Sequence, residues 1–532
     1  MHHLHSNIRF LSNNHNPNLL AQDGDTRASI FYINDLHGRL AQINRIKTAA
    51  DKFDCFTKNN PNVDSFKLLS GDAIVGKNEQ RNNVMFEFLN LIGIDLSAIG
   101  NHGFDNSEAK LQKLIQKANF KFLTANIKIK KHSQLYPSKK NEKIVTSTVI
   151  NRNGNDYGFI GLSPLDLKDR LDANLVKGIS VCDLQKTMKI IDNEVKKLNA
   201  VGINKIILLS HMGYKKDIAI AKNISGIDII IGGHSHDLIK GIIPGKNLIM
   251  STNGEPVIIT QVGKDGNYLG ILDVVFDSNG VIKSAHNNVQ KTINHEKDLS
   301  VEKIKDKYLG IPETIGYIDH DIRSPEGIAE NPLASFVADA VREKSGAQIV
   351  MFNTSNVRGV LDKGEVTTRD ISEILPFDDS LSKIWVSEKR IIDALNWGAE
   401  TTEIKPEYLQ TSGLKYTITP QNTVKDVYLE NQDGTLTRLN HVNPGTEKKF
   451  TVVCKTSYVT DGFLGYTALK VNEEDIIEEC PWFQSDVVVN YVKKFNNRPL
   501  KIELKDRIIV ESKPNHIEES NVSNIFSKKP VA

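Results

Sequence analysis

The sequence has few cysteines, no long apolar run and almost no net charge, and each shortage excludes a class of protein. Its four cysteines, Cys55, Cys182, Cys454 and Cys480, lie far apart and form no C-x-x-C pair. This spacing excludes a zinc ribbon and a disulfide framework, and it favours a reducing compartment. No stretch approaches the roughly 20 apolar residues that a membrane span needs, so we expect no membrane span.

The charge balance does not favour a nucleic-acid partner. The 67 Lys and Arg residues nearly cancel the 65 Asp and Glu residues, leaving a formal net charge of +2 over 532 residues. A nucleic-acid polymer is bound by a dense stripe of positive charge, which this composition does not supply. We therefore expect a small-molecule substrate at a local site, and the sequence makes no prediction of an oligomeric state.

The length and patterning predict two domains with polar tails. Short apolar runs alternate with amphipathic helical patterns over residues 28–292, which indicates a layered α/β domain. A polar stretch over residues 293–318 is interpreted as a linker helix, and a second domain is predicted over residues 319–511. Residues 1–27 and 512–532 are polar, and we expect both to be disordered.

Side chains that bind metals follow several of the predicted strands of the first domain. Buried strands are predicted at Ser29–Ile33, Phe66–Ser70, Leu96–Ile99, Phe120–Thr124, Lys205–Ser210 and Ile227–Ile231. Five of these strands are followed by candidate ligands: Asp35 and His37, Asp72, Asn101 and His102, His211, and His234 and His236. Ligand sites of open α/β sheets form at the carboxyl ends of strands, so these side chains are predicted to converge. Imidazole and carboxylate ligands without thiolate suit zinc, manganese, iron or cobalt.

The motifs that carry these ligands resemble those of the calcineurin-like metallophosphoesterases, and over residues 28–510 those of the 5′-nucleotidase family. They are INDLHG at 33–38, GD at 71–72, GNHGFD at 100–105, SHMG at 210–213 and GGHSH at 232–236. The resemblance implies an α/β class protein, with an N-terminal α/β/β/α sandwich and a C-terminal α+β substrate-binding domain. It implies two divalent metal ions, one held by Asp35, His37 and His236, the other by Asn101, His211 and His234, with Asp72 bridging both.

The same resemblance implies a catalytic dyad of His102 and Asp105, in which the carboxylate orients the imidazole. Gly103 departs from the family, which has Glu at this position. The segment from Gly71 to Lys77 also fits part of a phosphate-binding P-loop. We reject that interpretation because Asn78 stands where a P-loop needs a Ser or Thr hydroxyl.

For the C-terminal domain, the resemblance implies that two aromatic rings stack the nucleotide base. The implied substrate-binding residues are Arg323, Asn353, Arg358, Phe377, Gly413 and Tyr458. Leu464 departs from the family, which has an Asp that holds the ribose hydroxyls. Losing this acceptor is expected to cost about 1–3 kcal/mol of binding and to relax the nucleoside preference.

The leading hypothesis is a two-metal hydrolase that releases phosphate from nucleoside 5′-monophosphates. One alternative is a 2′,3′-cyclic nucleotide phosphodiesterase or nucleotide-sugar pyrophosphatase that uses the same centre. Another is a catalytically silent nucleotide-binding protein. The expected location is the cytoplasm because no signal peptide is evident, with the periplasm or the exterior as the alternative if the natural N-terminus differs.

Overall fold

The computed structural model describes residues 9–10, 22, 24–136, 142–167, 176–323, 325, 329–377, 379–400, 408–439, 448–496 and 498–511. The chain divides into two compact units, Met1–Ile311 and Pro312–Ala532. Much of the predicted tails, 1–27 and 512–532, lies outside the described residues. Within the first tail, Arg9–Phe10 forms a short strand.

The first unit contains two sheets flanked by helices. Its strands are β1 (Arg9–Phe10), β2 (Thr26–Ile33), β3 (Asp64–Leu69), β4 (Leu96–Ala98), β5 (Lys121–Leu123), β6 (Ile127–Ile129), β7 (Ile144–Val145), β8 (Ser147–Arg152), β9 (Asn155–Leu162), β10 (Ile179–Val181), β11 (Ile206–Ser210), β12 (Ile229–Ile231), β13 (Leu248–Met250), β14 (Pro256–Thr260), β15 (Tyr268–Phe276) and β16 (Ile282–Lys291). Its helices are α1 (Ile43–Asn59), α2 (Glu79–Leu91), α3 (Glu108–Lys117), α4 (Leu184–Ala200), α5 (Tyr214–Asn223) and α6 (Ser300–Leu309). The six predicted strands are confirmed as β2, β3, β4, β5, β11 and β12.

The strand order defines a four-layer sandwich. The larger sheet runs β1-β16-β15-β2-β3-β4-β5-β7, and the other runs β13-β14-β12-β11-β9-β8. Strands β2, β3 and β4 are parallel neighbours, and so are β11 and β12. Helices α1–α3 cover the outer face of the larger sheet, and α4 and α5 cover that of the other. The predicted α/β/β/α architecture is confirmed.

Strand β2 shows why its sequence is a continuous apolar run. Phe31 and Ile33 pack outward with the helices, while Ile30 and Tyr32 pack inward against the second sheet. Because successive side chains of a strand point to opposite faces, a sheet covered on both sides buries every residue. The sheets also approach closely at Gly161, where an added Cβ would overlap the side chain and backbone of Leu123. A glycine is therefore required at that crossing.

The second unit has α+β architecture. Its strands are β17 (Thr314–Ile318), β18 (Ile322–Arg323), β19 (Ile349–Asn353), β20 (Val360–Leu361), β21 (Gly364–Thr367), β22 (Leu381–Ser387), β23 (Leu409–Ser412), β24 (Leu414–Ile418), β25 (Val424–Glu430), β26 (Leu436–Arg438), β27 (Lys449–Lys455), β28 (Ile476–Glu479) and β29 (Ile508–Val510). Its helices are α7 (Pro332–Ser345), α8 (Thr368–Ile374), α9 (Glu388–Glu400), α10 (Thr456–Asp461) and α11 (Gln484–Lys493). The main sheets run β23-β19-β27-β22-β28 and β26-β25-β24-β29.

The boundary between the units differs from the predicted one. The predicted linker helix over 293–318 is shorter, since α6 spans Ser300–Leu309 and packs on α1 and α2 of the first unit. Strand β17 pairs with β21 and so belongs to the second unit, which begins at Pro312 rather than near 319. The alternating run of β17 is too short to be distinguished from linker by its sequence. None of the helices in the described part of the chain has the length and apolarity that a bilayer crossing requires.

Candidate metal centre and substrate site

The predicted ligands lie together at the carboxyl ends of strands from both sheets. From the larger sheet come Asp35 and His37 after β2, Asp72 after β3 and Asn101 after β4; from the other come His211 after β11, and His234 and His236 after β12. Short loops after parallel neighbouring strands direct these side chains to one edge of the sandwich. The convergence predicted from the sequence is therefore present in the structure.

One group of potential ligands consists of Asp35, His37 and His236, whose donor atoms lie within 4.8 Å of one another. His236 Nε2 is 3.4 Å and His37 Nε2 is 3.7 Å from the same atom, Asp35 Oδ1. His37 Nε2 is also 3.9 Å from Asp72 Oδ2. Two imidazoles and a fully buried carboxylate thus enclose one position, with Asp72 beside it.

A second group consists of Asp72, His211 and His234, again with donor atoms within 4.8 Å. His211 Nδ1 lies 2.6 Å from the carbonyl of Ser70, to which it can donate, while its Nε2 lies 2.9 Å from Asp72 Oδ2. Asn101 Oδ1 lies 3.0 Å from His234 Nδ1. The Ser70 carbonyl therefore orients His211 with Nε2 toward the shared carboxylate.

The charge of the site suits divalent cations. Asp35 and Asp72 are buried, and among the described residues neither forms an ion pair with Lys or Arg. Burial opposes ionisation of Asp72, but the combined attraction of His211, His102 and His37 outweighs it and lowers the Asp72 pKa. Burial likewise opposes protonation of His211, but Asp72 and Asp35 raise its pKa to about 9. Buried carboxylates need a compensating cation, and this oxygen and imidazole set fits a divalent metal.

The backbone at the site adopts an unusual conformation. Five of the potential ligands have positive φ: Asp35 at 50°, His37 at 51°, Asp72 at 50°, His234 at 74° and His236 at 61°. Left-handed conformations are uncommon outside glycine, cost on the order of 1–3 kcal/mol each, and cluster at functional sites. The surrounding sandwich must therefore hold these loops in place.

His102 and Asp105, the residues of the predicted dyad, lie within hydrogen-bonding distance of each other. His102 Nδ1 lies 2.7 Å from Asp105 Oδ2, and the backbone N–H of Gly76 donates to the same oxygen at 2.7 Å. The backbone N–H of His102 donates to Asp72 Oδ1 at 2.9 Å, which ties the dyad to the metal centre. Burial opposes protonation of His102, but the hydrogen bond to Asp105 and the charge of Asp72 raise its pKa.

Two carboxylates of the site were missed by the sequence analysis. Asp265 Oδ1 lies 3.0 Å from His37 Nδ1, and an oxygen of Asp166 lies 3.1 Å from His234 Nε2. Asp265 directly precedes Gly266 in a turn, so its local sequence indicates only a turn. Hydrogen bonds of this kind fix the orientation of ligand imidazoles and raise their basicity.

In the second unit, the structure brings two pairs of predicted substrate residues together. The hydroxyl of Tyr458 donates to Asn353 Oδ1 at 2.5 Å, and the Arg358 guanidinium lies 5.1 Å from the ring centroid of Phe377. Tyr458 is fully buried and packs on Tyr466 with ring centroids 4.8 Å apart. In this conformation Tyr458 offers no exposed face to a base.

Of the other predicted substrate residues, Arg323 lies opposite Val360, two residues beyond Arg358. Arg323 forms ion pairs of 2.8 Å with Asp321 and with Asp362. Gly413 follows Ser412, which pairs with Val350, so it lies at the opposite end of β19 from Asn353, roughly 13 Å away. The structure does not bring Gly413 together with Asn353.

The departure at Leu464 is accompanied by an exposed aromatic ring. Leu464 has φ 58° and its carbonyl accepts a hydrogen bond from Trp397 Nε1 at 2.9 Å. The adjoining Phe463 is 50% exposed. This segment therefore presents an aromatic ring next to the position where a ribose-binding Asp was expected.

Comparisons with known proteins match both units. Residues 28–238 match the calcineurin-like phosphoesterase model, and residues 314–471 match the 5′-nucleotidase C-terminal domain model. The trifunctional nucleotide phosphoesterase protein YfkN of Bacillus subtilis is 25% identical over 525 residues, covering 90% of this chain but only 34% of that longer protein. The 5′-nucleotidase of Bos taurus is 26% identical over 526 residues, covering 88% of each chain. The crystal structure of a 5′-nucleotidase precursor from Thermus thermophilus shares the fold, with a TM-score of 0.67, 23% identity and coverage of 92% of this chain and 100% of that chain.

Proposed function

Because this chain belongs to the family that joins a calcineurin-like phosphoesterase domain to a 5′-nucleotidase C-terminal domain, a family of metal-dependent phosphoester hydrolases, we propose that it releases phosphate from nucleoside 5′-monophosphates. The observation that supports this most directly is the convergence of the Asp, Asn and His side chains around two adjoining positions. Two divalent cations, of zinc, manganese, iron or cobalt, are the proposed cofactors.

The ligands are assigned by their grouping. Asp35, His37 and His236 would hold one cation, and Asn101, His211 and His234 the other, while Asp72 lies beside both groups and would bridge them. When bound, such a pair supplies water of lowered pKa and neutralises charge on the phosphoryl oxygens. The His211 and His37 rings are pre-oriented by the Ser70 carbonyl and the Asp265 carboxylate.

The dyad of His102 and Asp105 would act on the proton given to the leaving oxygen and on the negative charge of the phosphoryl oxygens. Asp105 lies 2.7 Å from Nδ1 of His102, where it can accept a hydrogen bond from that nitrogen and orient the ring. A nitrogen of His102 also lies within 4.8 Å of donor atoms of His37 and Asp72. We therefore propose that His102 stabilises the phosphoryl oxygens or protonates the leaving oxygen.

The second unit would hold the nucleoside. Phe377 is partly exposed and is the proposed stacking ring, with Arg358 beside it, while Asn353 and Arg323 supply polar contacts. A base-stacking role for Tyr458 stays a prediction, since its buried ring would have to become exposed to contact a base. Because Leu464 provides no acceptor for ribose hydroxyls, we propose a relaxed preference among nucleosides.

A phosphate-release panel tests the proposal. Metal-stripped protein is reloaded with manganese or zinc and assayed on nucleoside 5′-monophosphates, 2′,3′-cyclic nucleotides and nucleotide sugars. Preferred cleavage of 2′,3′-cyclic nucleotides or of nucleotide sugars would indicate the corresponding alternative enzyme. If none of the three substrate classes were cleaved, a catalytically silent nucleotide-binding protein would be favoured. Metal analysis in parallel gives the number and identity of the cations.

The dyad has its own test. We expect His102→Ala to lower kcat for the monophosphates by about 100- to 10,000-fold, the range of general acid–base catalysis. The matched control is His320→Ala, which removes a histidine that pairs with Asp319 on the surface of the second unit. Unchanged turnover in His102→Ala would show that the dyad is wrongly assigned.

The four cysteines are free, which is compatible with a reducing compartment. On this ground we propose a cytoplasmic location, to be checked by fractionation of the native host.

A further inference from the structure

A pocket of about 310 Å³ adjoins the dyad but contains none of the proposed metal ligands. His102 and Gly103 line it together with residues of α2 and α3. Small-molecule sites span about 300–1,000 Å³, so this volume suits a small group rather than a whole nucleotide. Because His102 lines it, a group held there lies next to the reaction site.

The rim of the pocket is positively charged. Lys110, Lys113 and Lys117 lie on one face of α3, at spacings of three and four residues, and all three line the pocket. A single carboxylate, Glu79, lies among them and is hydrogen-bonded to Lys110. That hydrogen bond and the charges of the neighbouring lysines lower the pKa of Glu79. The pocket therefore has an excess of positive charge.

The lining combines apolar side chains with an acceptor that has no donor. The apolar lining residues are Ile74, Leu111 and Leu114. Asn82 is 4% exposed, and its Oδ1 has no hydrogen-bond partner among the described residues. A buried acceptor left without a donor is costly, so a ligand that donates from a hydroxyl would improve the site.

Gly103 lines the pocket next to His102 and has no side chain of its own. A Cβ added there would lie 3.5 Å from a methyl group of Leu111 and 3.8 Å from Ile99, which are ordinary contacts. The Cβ of a larger side chain therefore fits at this position. Such a side chain provides a way to change the charge at the pocket wall.

We propose that this pocket is an accessory anion subsite that holds a second phosphate group of a doubly phosphorylated nucleotide. The proposal rests on the proposed function, since the first phosphate would lie at the metal centre. Lysine ammonium groups bind phosphate oxygens through charge-assisted hydrogen bonds, and a sugar hydroxyl could donate to Asn82. The preferred substrate class would then be nucleoside bisphosphates rather than simple monophosphates.

The kinetic test compares release of the 5′-phosphate from adenosine 3′,5′-bisphosphate and adenosine 5′-monophosphate. We expect wild-type protein to favour the bisphosphate in kcat/KM, and Lys113→Gln to reduce that preference roughly two- to fivefold, the effect of an exposed ion pair. The control is Lys189→Gln, which removes an exposed lysine of α4 and should leave the ratio unchanged. Added salt should reduce the preference of the wild type as well.

A second pair of variants isolates charge from bulk. Gly103→Glu places a carboxylate at the pocket wall, while Gly103→Gln adds nearly the same volume without charge. We expect Gly103→Glu to lower the bisphosphate preference further than Gly103→Gln does. Equal ratios in the two variants would contradict a role for charge in this pocket.

A binding measurement separates this proposal from the proposed function. Calorimetry with metal-loaded protein and non-hydrolysable phosphonate analogues of the two nucleotides gives each affinity without turnover. Tighter binding of the bisphosphate that is lost in Lys113→Gln would support the subsite even if no substrate were cleaved. Cleavage of monophosphates with equal binding of both nucleotides would overturn the subsite and leave the proposed function standing.

Discussion

The hydrogen bond between Asp265 and His37 gives a sharp test of how the metal centre is organised. Asp265 Oδ1 lies 3.0 Å from His37 Nδ1, and this contact leaves Nε2 facing Asp35 and Asp72. Removal of such a partner typically costs 10- to 100-fold in metal affinity, or about 1.4–2.8 kcal/mol. We expect Asp265→Asn to weaken metal binding by an amount near the lower end of this range, because Asn still accepts the hydrogen bond but carries no charge.

The choice of Asn also avoids a backbone effect. Asp265 has φ 60°, a conformation that Asn tolerates as readily as Asp, so the turn itself should be preserved. Asp265→Ala removes the acceptor entirely, and we expect about 100-fold weaker binding. The control is Asp192→Asn, which removes an exposed partner of Lys196 on α4.

The assay is calorimetric titration of manganese into metal-stripped protein, with the unfolding temperature of each variant measured before metal is added. We expect manganese to bind more weakly to Asp265→Asn than to the wild type, and more weakly still to Asp265→Ala, while both variants stay folded. If both variants bound manganese within twofold of wild type, Asp265 would not orient His37, and the reasoning from the 3.0 Å contact would be wrong.

Three further changes probe the substrate site, the second unit and the sandwich. Phe377→Ala should raise KM for nucleotides about tenfold with little change in kcat, because base stacking contributes about 1–3 kcal/mol; steady-state kinetics will check this. Asp339→Asn should lower the free energy of unfolding by about 3 kcal/mol at pH 7, because it breaks a 2.7 Å ion pair with the buried Arg507. Burial opposes ionisation of Asp339, but Arg507 lowers its pKa overall. The stabilisation from this ion pair is therefore present above the ordinary Asp pKa of about 3.9 and is lost as the pH falls below it. Urea unfolding at pH 7 and at pH 3 should show a smaller stability difference between wild type and Asp339→Asn at the lower pH. Gly161→Ala should destabilise the first unit by about 1–3 kcal/mol in thermal unfolding, because the added methyl group overlaps Leu123.

The strands and the ligands that follow them could be predicted because both depend on local sequence. A buried parallel strand is a continuous apolar run, and the residues directly after it, such as Asp35 after β2, lie at the sheet edge wherever the strand is placed. The start of α7 is similarly local, since Asn331 accepts from the N–H of Leu333, two residues further on, at 3.0 Å.

The missed features depend on contacts between distant parts of the chain. Asp265 and His37 are 228 positions apart, so no local pattern could join them. Tyr458 illustrates the same limit for burial, because an aromatic residue can stack a base or fill a core, and here Asn353 and Tyr466 enclose it. The start of the second unit was misplaced because β17 is defined by its partner β21 rather than by its own composition.

The left-handed backbone at the ligand positions has a consequence for protein engineering. Glycine adopts positive φ without penalty, so replacing His236 or Asp35 by glycine would relieve local strain, and at Asp35 it would also remove a buried charge. A screen that selects for thermal stability alone would therefore favour substitutions in these loops and would yield stabilised variants without catalytic activity. Any selection for a more robust enzyme should therefore keep turnover among its criteria.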